Sequence, residues 1–383
     1  LLPDVTIFFD FESSSVETHT ADEETHTAYL VAWKVYGEEE VHHAKGSECA
    51  LEFLQWINDY YGSDDVDEKT DVTLIAHNVT YDISFLLEHL ECGSMQAIKK
   101  GNKFISAYGS FGDVKLMFKD SWKLIPAPLR DFPKMFNLPV EKEIMPYDIY
   151  TPEFLDTDMM IDPAEIELAY DKTFVDNMRP NIIKWDCEQD GKWDMMTYSL
   201  RYCELDIEVL SAGWDCFRNM VLEQFDIDPN GREIMTVAGM SYRHLSNEGC
   251  LEGCYGISGQ VLSFIRKGTV GGQTQSAENK SMIVTAEIED QDMRSLYPFA
   301  MVEMKGIPKG PPKVFTGQIP ANADHFYVQI KVQTVKGCDF HFPIIALRNE
   351  QEGTNEWTND IEGKTIIVGK QTLEDLIYWN EVF

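Results

Sequence analysis

The apolar run Val5-Thr6-Ile7-Phe8-Phe9 leads into Asp10-Phe11-Glu12-Ser13-Ser14 and predicts a first strand over Val5–Asp10. Residues 28–36, Ala-Tyr-Leu-Val-Ala-Trp-Lys-Val-Tyr, predict a second strand, paired with the first like a hairpin across a polar loop. Leu51, Phe53, Leu54, Trp56 and Ile57 share one helical face and predict a helix over 50–61. Val72–Ala76 reads as a short buried strand that runs through a polar turn, 77–82, into a helix over 83–90. Strand, polar turn and helix place the turn at the carboxyl edge of an α/β sheet.

Further strand patterns fall in 103–124, followed by a short helix over 127–137. Residues 150–196 are acidic and are expected to be an irregular insertion with one helix near 164–170. Tyr198, Leu200, Tyr202, Leu205, Val209 and Leu210 repeat near a 3.6-residue period and predict a long helix over 196–217, with helices continuing to about 248. Glycines crowd 249–272 and mark a boundary, after which strands are expected at 282–288 and 326–335.

The pattern of acids changes this picture. Strand side chains alternate faces, so Asp10 and Glu12 share one face and Phe11 takes the other. Two adjacent like charges are costly unless a cation lies between them. Alone, the pair also fits a solvated strand end. Asp82 opens a helix after a buried strand, with Asn78 and Tyr81 in the same turn, and Tyr202 and Asp206 lie four apart on one helix face. Asp10, Glu12, Asp82 and Asp206 carry about the charge that two divalent ions cancel. Two metals roughly 3.5–4 Å apart are a standard device for phosphodiester hydrolysis. Oxygen ligands favour Mg2+ or Mn2+ over zinc. The Tyr202 hydroxyl is placed to orient the attacking water.

In order and local pattern these residues resemble the Asp-x-Glu, Asn-x-x-Tyr-Asp and Tyr-x-x-x-Asp motifs of family B DNA polymerases. Thr269-Val270-Gly271-Gly272 resembles the element that joins exonuclease and polymerase domains, and Asp292-Met293-Arg294-Ser295-Leu296-Tyr297-Pro298 resembles polymerase motif A. Asp120-Ser121-Trp122-Lys123 and Lys142 resemble further elements of the protein-primed branch. The fold class implied is α/β: an RNase H-like 3′–5′ exonuclease domain over 1–212, a helical linker over 213–255, and an incomplete α+β palm over 256–383.

The resemblance implies metal ligands at Asp10, Glu12, Asp82 and Asp206, two Mg2+ or Mn2+ ions per active site, and a catalytic cation at Lys142. It implies that Ser13, His77, Asn78, Tyr81, Phe85 and Ser121 line a single-strand groove, with Tyr81 and Phe85 stacking on bases. Thr269, Gly271 and Gly272 would contact DNA. Asp292 would bind metal for nucleotide addition, and Ser295, Leu296 and Tyr297 would hold the deoxynucleotide. Partners implied are a single-stranded 3′ end, primer-template DNA, deoxynucleotides and a terminal priming protein. The alternatives are a stand-alone 3′–5′ exonuclease and a catalytically idle protein that binds a replication partner.

Motif B and the Asp-Thr-Asp of motif C do not occur after motif A, so either a carboxyl-terminal remainder carries them or the chain is one piece of a split or truncated polymerase; Asp156-Thr157-Asp158 precedes motif A and is read as surface. The start, Leu1-Leu2-Pro3-Asp4, has no Met and no secretory pattern, and a few residues are expected to precede it. No apolar run approaches the roughly 20 residues that span a bilayer, so a cytoplasmic protein without a membrane partner is expected, in a host cell if viral or plasmid-encoded. Eight cysteines without a Cys-x-x-Cys pair read as reduced thiols. The net charge of -33, from 65 acids and 32 bases, repels nucleic acid at long range and calls for bound cations, a basic partner or high salt.

Overall fold

The computed structural model describes residues 5–14, 26–62, 69–100, 103–139, 143–271, 283–287, 289, 291–304, 306, 310–335, 345–348 and 354–382. The chain divides into two compact units, 1–250 and 251–383. In chain order the first holds β1 (Val5–Ser14), β2 (Thr27–Val35), β3 (Val41–Lys45), α1 (Cys49–Tyr61), β4 (Thr70–Ala76), α2 (Asp82–Leu86), β5 (Gln96–Lys100), β6 (Lys103–Phe111), β7 (Val114–Asp120) and α3 (Phe132–Phe136). There follow α4 (Pro152–Leu155), β8 (Met160–Ile161), α5 (Pro163–Ala169), α6 (Lys172–Lys184), β9 (Glu188–Gln189), β10 (Lys192–Asp194), α7 (Met195–Phe225) and α8 (Val237–Asn247).

Among the described residues, strands β1 to β7 form one mixed sheet in the order β3-β2-β1-β4-β7-β6-β5. β3, β2 and β1 pair antiparallel, while β1, β4 and β7 run parallel. This is the α/β, RNase H-like arrangement expected from the sequence. β1 is an interior strand covered on both faces, which explains its nearly unbroken apolar run. Ile7, Phe9 and Phe11 pack with Phe53, Leu54 and Ile57 of α1. Phe8 points the other way, into a core with Ile207 and Leu210 of α7. The strand runs past Asp10 to Ser14, so the carboxylates sit within a strand rather than at its end.

The helix that lays its face over this sheet is α7. Asp194 starts it by accepting the N–H of Thr197 at 2.9 Å, and Asp226 ends it in the left-handed region at φ +52°. At Gly213 a β-carbon would stand 2.5 Å from the ring of Phe132, so only glycine lets α3 approach α7 this closely.

Several expectations need correction. Residues 150–196 are not an irregular insertion: they hold α4, α5, α6 and the β8-β10-β9 sheet, and Tyr150, Ile161, Ile166, Met178, Ile182 and Trp193 join the core under α7. Many of the acids that suggested a loop are helix caps or exposed faces: Asp162 accepts from Ala164 N at 2.9 Å and Asp171 from Phe174 N at 2.7 Å. The helix expected over 83–90 stops at Leu86, and that over 127–137 is a 3-10 turn (Leu129–Asp131) followed by α3.

The second unit holds α9 (Gly259–Gly268), α10 (Leu296–Glu303), β11 (Tyr327–Lys331), β12 (Ile345–Arg348), β13 (Asn355–Thr358), β14 (Thr365–Gly369) and α11 (Lys370–Val382). β11 pairs with β14 and β12 with β13, around a small core of Ile345, Ile361, Ile366 and Val368. Residues 283–287, expected in a strand, form none. Among the described residues no helix is long and apolar enough to cross a membrane.

Candidate active site

The site is built where β1 parts from β4. Their parallel pairing runs from Val5↔Val72 to Phe8↔Ile75 and no further. Beyond Phe8 the β4 side of β1 is open, and the Asp82 carboxylate accepts the N–H of Phe11 there at 3.2 Å. That bond sets Asp82 beside the strand segment bearing Asp10 and Glu12. On the α7 side, the buried Cys203 Sγ lies 3.5 Å from the Asp10 carbonyl oxygen. Asp10, Glu12 and Cys203 each offer a ligand atom, all within 4.8 Å of one another. Tyr202 and Asp206, on the same helix, complete the α7 wall.

Glu12 is 6% exposed, Asp82 3% and Asp206 4%. Carboxylates are rarely buried this deeply unless something compensates the charge. Burial, and then the nearby Asp120 charge, push Asp82 up to about 7, although N–H groups of Phe11 and Asp82 itself counteract this. The Cys203 thiol is held well above its ordinary range by burial first, then by Asp10, Glu12 and Asp206. The Tyr202 phenol is raised by burial and next by Asp206, so it stays protonated and keeps its donor. Within the close group the oxygen donors suited to hard divalent cations are Asp10 and Glu12, and the buried Asp82 and Asp206 carboxylates stand outside it, on α2 and α7.

Four residues around this set had no role assigned from the sequence. Tyr147, in the 3-10 turn Tyr147–Ile149, shares a 2.8 Å phenol–phenol hydrogen bond with Tyr202. Cys203 was visible only as one position in the Tyr-x-x-x-Asp spacing. Asp120 accepts from Asn78 N at 2.9 Å and Trp122 N at 3.1 Å, tying the turn before α2 to the end of β7. The first of these bonds holds Asn78 in the left-handed region at φ +72°. Tyr29, stacked on Tyr150 at 5.4 Å, bonds Ser199 at 2.7 Å and floors the site.

The residues expected to line a groove divide. Tyr81 is exposed and its hydroxyl is hydrogen-bonded to Ser13. Asn78 is exposed as well. Phe85 is half-buried, packed on Phe11 at 5.3 Å and edge-on to Tyr81 at 5.2 Å. Ser121 departs from the expectation: it is fully buried, donating to the Ala76 carbonyl at 3.1 Å and lying 2.8 Å from His77 Nδ1. It supports His77 from beneath, because the 3-10 turn after β7 folds inward. Lys142 lies outside the described residues.

In the second unit Asp292 is exposed and precedes Ser295, which stands at φ +53° where α10 begins. Leu296 and the 68% exposed Tyr297 open that helix. The Thr269 hydroxyl donates to the Ile265 carbonyl at 2.9 Å and lies 3.1 Å from the Tyr327 hydroxyl. Gly271 has open space around it, and Gly272 lies outside the described residues.

A mixed sheet carrying buried carboxylates at the parting of two parallel strands defines an α/β unit with an acidic site at an opened strand edge. Residues 66–382 match the family model "DNA polymerase type B, organellar and viral", and the chain belongs to that family. It is 27% identical over 210 residues to a DNA polymerase of Kluyveromyces lactis, covering 52% of this chain and 20% of that protein. It is 23% identical over 262 residues to a probable DNA polymerase of Neurospora intermedia, covering 64% and 26%. Among solved structures, Phi29 DNA polymerase with primer-template DNA and incoming nucleotides shares the fold at a TM-score of 0.61 and 14% identity, over 99% of this chain and 59% of that one. The same polymerase with single-stranded DNA gives 0.56 and 14%, over 97% and 57%. The matches thus span a fifth to a quarter of the curated relatives and under two thirds of the solved polymerase.

Proposed function

We propose that the first unit is a 3′–5′ exonuclease acting on single-stranded DNA ends, within a DNA polymerase of the protein-primed kind. What supports this is the close group of Asp10 and Glu12 with Cys203, the Asp82 carboxylate held on the Phe11 N–H between those two acids, and Tyr202 and Asp206 on the same helix as Cys203. The four carboxylates would hold two Mg2+ or Mn2+ ions, which supply Lewis acidity at a phosphodiester. Tyr202, kept protonated and steadied by Tyr147, orients the attacking water. Asp82, anchored on the Phe11 N–H, keeps its second oxygen for the site. Tyr81, held by Ser13, presents a ring face for a terminal base, with His77 and Asn78 at the rim. Lys142 supplies a cation for the scissile phosphate.

Within that first unit the exonuclease itself is proposed for 1–212, with its last helix α7 running on into the stretch 213–255 read as a helical linker, and part of a palm is proposed for 256–383. There Asp292 would hold metal, Ser295, Leu296 and Tyr297 would hold the deoxynucleotide, and Thr269, Gly271 and Gly272 would contact the primer-template. A terminal protein would prime synthesis. Digestion of 5′-labelled single strands in Mg2+ tests the first unit: stepwise shortening from the 3′ end is expected, lost in Asp10→Ala. Equal digestion by wild type and Asp10→Ala would overturn the reading.

A further inference from the structure

At the opposite margin of the sheet from β5, the edge strand β3 and helix α1 enclose an open cavity of about 380 Å³. Its walls are aromatic. Trp33 and His42 face each other directly across the β2–β3 pairing, with ring centroids 5.8 Å apart. Trp56 of α1 closes the third side, 4.8 Å from His42 and 5.3 Å from Trp33. Its rim is acidic: Glu40 and Glu52 line the cavity and are exposed. Gly37-Glu38-Glu39-Glu40, all exposed, lead into β3. Lys34 and Lys45 are the bases on the same two strands.

Ring faces gathered under carboxylates attract a cation, because the quadrupole and the charges act in the same direction. A nucleic acid would meet repulsion here. The buried indole N–H of Trp33 has no acceptor among the described protein groups. Among the described residues β3 is also an edge of the sheet, able to pair with an extended segment. None of these residues belongs to the carboxylate site.

We propose that this cavity is a docking site for an arginine or lysine side chain on a basic segment of a partner protein. The strong negative charge of the chain draws such a segment in, and the mutually packed Trp33–His42–Trp56 ring cluster beneath the Glu40 and Glu52 rim receives its cationic head.

The test is titration of the 383-residue chain with the peptide acetyl-Gly-Arg-Gly-Arg-Gly-amide and with its citrulline counterpart, following indole N–H resonances. Saturable shifts of the Trp33 and Trp56 signals with arginine, at least about fivefold weaker with citrulline, are expected. Trp56→Leu, which keeps every charge, should weaken the arginine peptide at least about fivefold and leave DNA digestion unchanged. Glu52→Gln, at an exposed position, gives a second variant that preserves the fold and should weaken it measurably. Equal shifts with citrulline, or affinity unchanged in both variants, would overturn the proposal and leave only diffuse surface attraction.

Discussion

The Asp82 carboxylate accepts the main-chain N–H of Phe11, 71 residues away, between Asp10 and Glu12. One side chain therefore closes an open strand edge and brings a third acid to the site.

These two tasks separate by substitution. Asp82→Asn keeps an acceptor for Phe11 and removes the charge, so the melting temperature should stay level or rise. Asp82→Ala leaves that buried N–H unsatisfied and should cost about 1–3 kcal/mol. Both should cut exonuclease activity by several orders of magnitude. Thermal melts beside single-strand digestion read the difference. A fully active Asp82→Asn would show that the charge has no part in catalysis.

Tyr147 and Tyr202 act as one unit. Tyr202→Phe should slow cleavage by about 10- to 1000-fold, the range for a lost positioning group. Tyr147→Phe should slow it less, since Tyr202 keeps its hydroxyl. The double variant should resemble Tyr202→Phe alone, because coupled residues are not additive. Multiplied losses in a double-mutant cycle would mean that the 2.8 Å bond carries no function.

Cys203 puts a soft donor against Asp10 and Glu12. Thiolates prefer Cd2+ and carboxylates prefer Mg2+. Micromolar Cd2+ should therefore inhibit digestion run in Mg2+, and Cys203→Ser should lift that inhibition while retaining most activity. The inhibition constant in the two proteins decides it; equal constants would remove Cys203 from the site.

Lys119 gives a pH-dependent stability. It is fully buried in β7, donating to the carbonyls of Pro229 at 2.7 Å and Gly231 at 2.9 Å, and burial depresses it to about 8. Above this value the folded chain loses the Lys119 proton while the unfolded chain keeps it to about 10.5. Stability from this group therefore rises between about pH 8 and 10.5, since the unfolded state binds more protons there. Relative to Lys119→Met, the wild type should gain about 2 kcal/mol from pH 7.5 to 9.5. Paired urea titrations measure this, and cysteine and tyrosine ionisation cancels in the difference. A flat difference would mean that Lys119 titrates normally.

What the sequence determined by itself was local. Period-two alternation put Asp10 and Glu12 on the α7 face of β1 and Phe11 on the α1 face, and the structure packs them so. Four-residue spacing put Tyr202 and Asp206 on one face of a single helix. Such patterns are legible because neighbouring backbone geometry alone fixes which side chains share a face. The tertiary structure decided what meets across long separations: Cys203 against Asp10, Tyr147 on Tyr202, and Asp82 on Phe11. It also turned Ser121 inward and folded 150–196 into core, where capping acids had suggested a loop. Each of these depends on where β4 releases β1 and how closely α3 and α7 approach, which is settled by packing across the whole unit and leaves no periodic trace in the chain.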